Sequence, residues 1–158
     1  MHPISAVQME YSPFALEIED PKIGLLQACR ELGVSVVAYS PTGRGLLTGR
    51  YKSHDEIARN LFLSAIPRLS KENFPSIMAL VDKLKSVAAR KGHTTVQVTM
   101  AWLMARGDDI IPIPGTRTIK YLEENVGTLN VKLSAAEEEE IGDAIQKTEL
   151  TGNRYPQG

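Results

Sequence analysis

Residues Val34-Ser35-Val36-Val37-Ala38-Tyr39 form a nearly unbroken apolar run, with Gly33 before it and Ser40-Pro41 after it. A run this short, β-branched and without polar alternation reads as a strand covered on both faces, and such strands belong to parallel sheets layered by helices. Two other stretches are of the same kind. Residues 4–11 carry β-branched and aromatic side chains and stop at the turn signal Ser12-Pro13, and residues 110–114 read Ile-Ile-Pro-Ile-Pro. Prolines donate no ladder hydrogen bond, so the last of the three is expected to be short or distorted.

Helical patterns separate these runs. Asp20-Pro21 reads as an N-cap with proline at the first helical position, and Leu25, Leu26, Cys29 and Leu32 form an apolar stripe that stops at Gly33. Residues 50–70 are polar and read as irregular, with Pro67 and no clear period. Ile77, Leu80, Val81, Leu84, Val87 and Ala88 then fall at helical spacing, closed by Gly92. Thr94 with Gln97 and Ser134 with Glu137 are capping boxes, the first opening a helix through Trp102 and the second a helix to about residue 148. Another helix starts near Thr118. The run Glu137 to Glu140 is expected to be a solvated first turn favoured by the helix dipole rather than a metal site. The stretch 150–158 is polar and expected to be loose.

Strand–helix alternation of this kind predicts an α/β fold with a parallel sheet and right-handed crossovers. Three strands make an incomplete sheet. The outer two leave backbone donors and acceptors open, so another chain, or more of the same protein, is expected to complete it. Size is no obstacle to a core, since the chain has 158 residues and 42% are hydrophobic.

Eighteen basic against nineteen acidic residues leave a net charge of -1, without the basic excess expected of a nucleic-acid binder or the charged face of a membrane-surface protein. No apolar run reaches bilayer length, and Met1-His2-Pro3-Ile4 does not read as a signal peptide. The single cysteine, Cys29, sits on an apolar stripe and is expected to be a buried thiol. These features together predict a cytoplasmic location. His2, His54 and His93 lack ligand spacing and read as surface or loop residues, and Trp102 reads as core.

Three blocks carry a family resemblance: Ala6-Val7-Gln8-Met9-Glu10-Tyr11-Ser12-Pro13; Val37-Ala38-Tyr39-Ser40-Pro41 with Gly43-Arg44-Gly45-Leu46-Leu47-Thr48-Gly49; and Ile113-Pro114-Gly115-Thr116-Arg117 with Leu122-Glu123-Glu124-Asn125. In this order and spacing, from Ile4 to Ile145, the chain resembles the aldo-keto reductase family. The resemblance implies a partial TIM-type (β/α) barrel with three βα units. They would be the sixth, seventh and eighth strands of an eight-stranded barrel that binds NADP(H) without a Rossmann fingerprint. Residues 1–149 would be the carboxy-terminal half and 150–158 a tail. The family's catalytic aspartate, tyrosine, lysine and histidine belong to the first four strands, so no catalytic residue is assigned.

What the resemblance assigns is a cofactor site. Phosphate sites in such barrels are built from the loops after the last two strands. The Ser40–Gly45 loop, with Ser40, Pro41, Thr42, Gly43 and Arg44, would aim the backbone N–H groups of its non-proline residues at a pyrophosphate, because glycine permits close approach. Gly115, Thr116 and Arg117 precede a helix N-terminus, which favours an anion, and Arg117 would grip the 2′-phosphate. Glu124 and Asn125 would hold the adenine, Gln8 the carboxamide, and Tyr39 would stack on the nicotinamide. Many members carry a lysine before the small hydroxyl residue and an arginine at the position of Tyr121. Here Gly115 and Tyr121 stand there, as in the branch with a Gly-Thr-Arg loop, which moves the phosphate contact onto Arg117.

Taken one by one, these residues read more plainly. Gln8 is a strand polar residue, Tyr39 a core aromatic, Gly43 and Gly45 turn glycines, and Arg117, Glu124 and Asn125 surface residues. The joint pattern points to the NADP(H)-binding half of a reductase that moves hydride between cofactor and a carbonyl or alcohol, inactive until an amino-terminal half completes it. The alternative is a half-barrel that self-associates as a homo-oligomer and works as a non-redox catalyst or a binding or scaffold protein.

Overall fold

Strands β1 (Ala6–Glu10), β2 (Ser35–Tyr39) and β3 (Ile110–Ile113) pair in parallel in the order β1-β2-β3, the sheet expected from the sequence. The computed structural model describes residues 2–155; Met1 and the last three positions of the expected tail lie outside the described residues. Helix α1 (Leu25–Leu32) returns the chain from β1 to β2. Between β2 and β3 run α2 (His54–Ala58), α3 (Leu61–Ser64), α4 (Phe74–Lys91) and α5 (Thr95–Met104). After β3 come α6 (Ile119–Val126) and α7 (Ala135–Gln146).

Register divides the sheet into two faces. Val7, Val36 and Ile110 lie in one row and Gln8, Val37 and Ile111 in the next. Side chains alternate across the pleat, so Val36, Ala38 and Ile110 pack toward the helices and are buried, while Gln8, Ile111 and Ile113 are exposed on the other face. The expectation that β2 is covered on both faces therefore fails: its burial alternates, because helices cover one face only.

Pro112, the one proline within β3, follows the same parity. Val36 N–H donates to the Asp109 carbonyl, so the odd-numbered residues turn their backbone groups to β2. Pro112 then turns its missing donor to the outer edge, and β3 pairs in register despite it. On the other side, Ser35 N–H donates to Ser5 and Tyr11 N–H to Tyr39, which leaves the backbone groups of Ala6 and Gln8 on the outer edge of β1.

The core lies between the sheet and α4 and α5. All six residues of the α4 stripe are buried, and α5 buries Val96, Val98, Thr99, Met100, Ala101, Trp102 and Leu103. Both capping boxes form: Thr94 Oγ1 accepts from Gln97 N–H at 3.2 Å, and Ser134 Oγ from Glu137 N–H at 3.3 Å. The acidic turn of α7 is more than solvated, since Glu137 pairs with Lys91 and Glu140 with Lys83 and Arg90, tying α7 to α4.

Three local expectations are corrected. Helix α1 begins at Leu25, not after Asp20. Asp20 Oδ1 accepts from Lys22 N–H at 2.8 Å, its carbonyl takes the Gly24 amide, and Gly24 is left-handed at φ 66, which stops a helix from running through. Leu26 and Cys29 of its stripe are buried as expected, but Leu32 is 77% exposed. Residues 50–70 are not irregular: Ile57, Leu63, Ile66 and Leu69 are buried through short helical turns, with Asn60 Oδ1 capping α3 at 3.1 Å from both Phe62 and Leu63 amides. Each turn offers one buried anchor, too few to show a period. Finally, residues 151–155 are docked rather than loose. Asn73 Nδ2 donates to the Thr151 carbonyl at 2.7 Å, and Arg68 N–H to the Asn153 carbonyl at 3.2 Å.

Candidate functional site

The loop after β2 is shaped by its backbone. Ser40 (φ 52) and Arg44 (φ 57) are left-handed without being glycine, a conformation that persists only where the surroundings impose it. Gly43 is also left-handed, and a Cβ there would lie 2.8 Å from the Phe14 ring. The amides of Gly43, Gly45 and Leu47 donate within the loop, to Ser40 and to Thr42, so they are not the ones free to meet an anion. Gly43 is buried and builds the loop rather than lining its surface.

A second wall follows β3. Gly115 has no heavy atom within 4 Å of where a Cβ would stand, so the backbone there is open. Thr116 Oγ1 bonds the Thr118 carbonyl at 3.2 Å, and Thr118 Oγ1 caps α6 by accepting from Tyr121 N–H at 3.3 Å. The earlier first-turn amides have no carbonyl one turn back, which leaves partial positive charge at that helix end. Arg117 is exposed and has no ion pair among the described residues.

Between the two walls lies a cleft of about 1040 Å³. It brings together Ser40, Pro41, Thr42, Arg44, Gly115, Arg117, Tyr121, Glu124 and Asn125, nine of the residues singled out from the sequence. Thr48, Arg50, Val96, Ile113 and Pro114 also line it. Three arginines against one glutamate make its lining electropositive. Of these, Arg50 was missed by sequence reading; its only signal is that it follows Gly49, a left-handed glycine closing the loop.

Gln8, Tyr39, Gly43 and Thr116 are not on the cleft lining. Gln8 is exposed on the uncovered sheet face, and the side chain of Tyr39 is on that face two rows further on. The Tyr39 hydroxyl lies 2.9 Å from that of Tyr155. Burial, then this hydrogen bond and the negative charge of Glu10, push the Tyr39 phenol up to about 12, so it stays neutral at any physiological pH.

Beside the cleft sits an ionic cluster that sequence reading also missed. The buried carboxylate of Glu10 faces Arg44 at 3.6 Å and Arg154 at 3.4 Å, and Glu17 pairs with Arg68 at 2.9 Å. An acidic residue closing an apolar strand was the one available sign. Tyr11, next in the chain, is fully buried and donates to Glu19, and burial holds its phenol far above the ordinary tyrosine range. Cys29 and Trp102 are buried as expected. Among the described residues no group of His, Cys, Asp and Glu gathers as a metal site, and no helix is long and apolar enough to cross a membrane.

Comparison with known proteins places the chain. The profile of the Aldo/keto reductase family matches residues 1–146. The aldo-keto reductase yakc of Schizosaccharomyces pombe, whose name specifies NADP(+), is 52% identical over 158 residues, covering 100% of this chain and 46% of the relative. An aldo-keto reductase of Strobilurus tenacellus is 52% identical over 154 residues, 98% of this chain and 46% of the relative. Among solved structures, the glycerol dehydrogenase of Gluconobacter oxydans superposes with a TM-score of 0.78 at 22% identity, over 93% of this chain and 44% of its own. The aldo/keto reductase of Klebsiella pneumoniae, solved with NADP and acetate, gives 0.60 at 21% identity, over 98% and 44%. At these identities the solved structures speak for the fold, a segment of a parallel (β/α) barrel with three βα units. The chain spans about half the length of the curated relatives it matches.

Proposed function

The chain belongs to the aldo/keto reductase family, and from that premise we propose that it is the part of such an enzyme that grips NADP(H). One observation carries the reading: the loops after β2 and β3 face each other across a single cleft lined by Arg44, Arg50 and Arg117 against Glu124 alone. That lining suits a polyanionic ligand. Arg117, unpaired among the described residues beside the capped start of α6, is the residue to hold a 2′-phosphate by charge-assisted hydrogen bonds. Glu124 and Asn125, about two helical turns further on, suit an adenine. Ser40, Pro41 and Thr42 bring backbone close to the middle of the ligand, held by the same left-handed turns that bury Gly43. Tyr39 and Gln8 lie on the uncovered sheet face, where Tyr39 offers a neutral aromatic ring and Gln8 an amide to a nicotinamide. When bound, the cofactor supplies the hydride chemistry.

The parent reaction is transfer between this cofactor and a carbonyl or alcohol. A missing proton donor alone removes about 10²–10⁴-fold of rate, so the 158-residue chain is expected to bind nucleotide without turning over substrate. Turnover requires the remaining βα units, on the same or another chain. The resident compartment we infer is a reducing one, given one buried thiol.

A second reading, self-association, is favoured by α6, which buries nothing: Ile119, Leu122, Val126 and, beyond it, Leu129 are 51–75% exposed at helical spacing. The same stripe suits a complementing half equally well.

Equilibrium titration followed by NADPH fluorescence tests the cofactor reading. Saturable NADPH binding is expected, at least about tenfold tighter than NADH and weakened to the NADH level by Arg117→Ala. Equal affinity for both nucleotides, or an Arg117→Ala protein that binds NADPH like the original, contradicts it.

A further inference from the structure

We infer that the carboxy-terminal segment 151–155 is a working part of the cleft, a clamp that holds Arg44 and, through it, the loop wall formed by residues 40–49. The segment is built onto the body of the molecule. The side chain of Asn73, itself 5% exposed, donates to the Thr151 carbonyl at 2.7 Å and to the Arg68 carbonyl at 3.0 Å, and its oxygen accepts from the Thr151 amide at 3.3 Å. Arg68 N–H closes a further bond to Asn153, and Gly152 (φ 94) lies so close to Pro67 that a Cβ would come within 3.1 Å of its carbonyl carbon.

From that anchor the next two residues reach Arg44. Arg154 lies 3.4 Å from the same Glu10 carboxylate that Arg44 pairs with at 3.6 Å. The Tyr155 ring stacks under the Arg44 guanidinium at 4.8 Å, and its hydroxyl meets that of Tyr39 at 2.9 Å. Phe62 covers another side of the guanidinium at 5.2 Å. Arg44 is a left-handed non-glycine residue, so its backbone needs its side chain to be held. It also lines the cleft. Arg154 and Tyr155 are absent from the cleft lining and act through Arg44, which makes them positioning residues.

The clamp itself stands on geometry; its effect on nucleotide affinity rests on the cofactor reading above. Hydrogen exchange separates the two. In the full chain carrying Tyr155→Ala or Arg154→Ala, the amides of Gly43, Gly45, Leu47 and Gly49 are expected to exchange about three- to tenfold faster, while the α4 core does not change. Tyr155→Phe keeps the stacking and is expected to stay close to the original. NADPH affinity falls by the same factor in the two alanine variants. Unchanged loop exchange in both alanine variants overturns the clamp, and so does faster exchange with undiminished NADPH affinity. Faster exchange in variants of a chain that never bound NADPH upholds the clamp and removes the cofactor reading instead.

Discussion

At the scale of single residues, Glu137 carries the clearest titration. Its carboxylate accepts from the Ser134 backbone amide and from Lys91, which together hold it down at about 2. A carboxyl depressed in the folded state contributes stability above its unfolded value, near 4.5, and loses it as pH falls toward 2. Thermal melts across that window should therefore show a shallower acid slope for Glu137→Gln than for the original chain; parallel slopes would disprove the assignment. The cap was legible because Ser134 and Glu137 are three residues apart, and so was the box of Thr94 and Gln97. The Tyr39–Tyr155 bond was not, since its partners are 116 residues apart and neither carries a pattern of its own. Arg44 is the instructive case. Its place in a glycine loop was readable, while its pairing with Glu10 depends on strand parity and on a segment that looked like a polar tail.

At the scale of elements, periodicity worked where an element was long. Helix α4 repeats its apolar stripe over about three turns and stops at Gly92, left-handed at φ 68 with nothing within 4 Å of a Cβ. Gly92→Ala meets no clash, so it should cost only the left-handed penalty of about 1–2 kcal/mol, read as a lower urea midpoint. A loss well above that would mean a packing role the structure does not contain. Short elements hid from sequence reading. Helices α2 and α3 each bury one apolar side chain, and the start of α1 was misread because Asp20 caps a turn rather than a helix. The two prolines predict a short or distorted strand, and β3 is the shortest of the three at four residues; Pro112 is matched to its outward-facing edge, a feature that only pairing partners reveal.

Across the whole molecule, the two ends of the sheet differ. The outer edge of β3 lacks a donor at Pro112, whereas β1 leaves Ala6 and Gln8 with open backbone groups. An open edge templates pairing with another strand. The isolated chain should therefore sediment as more than a monomer, and Ala6→Pro, which removes an outward donor without touching the β1–β2 ladder, should shift it toward monomer. Sedimentation unchanged by that substitution would point instead to the exposed face of α6. The incompleteness of the sheet was readable from three apolar runs; which edge is open was not, because it follows from backbone parity and not from side-chain type.

The claim on which the rest depends is that the loops after β2 and β3 grip one nucleotide between them. Amide chemical-shift mapping on the isotope-labelled 158-residue chain during an NADP(+) titration tests this most directly. The account predicts saturable shifts that titrate together at residues 40–45 and 115–125, with one affinity. Shifts confined to one wall, shifts centred elsewhere, or no saturable response would contradict it.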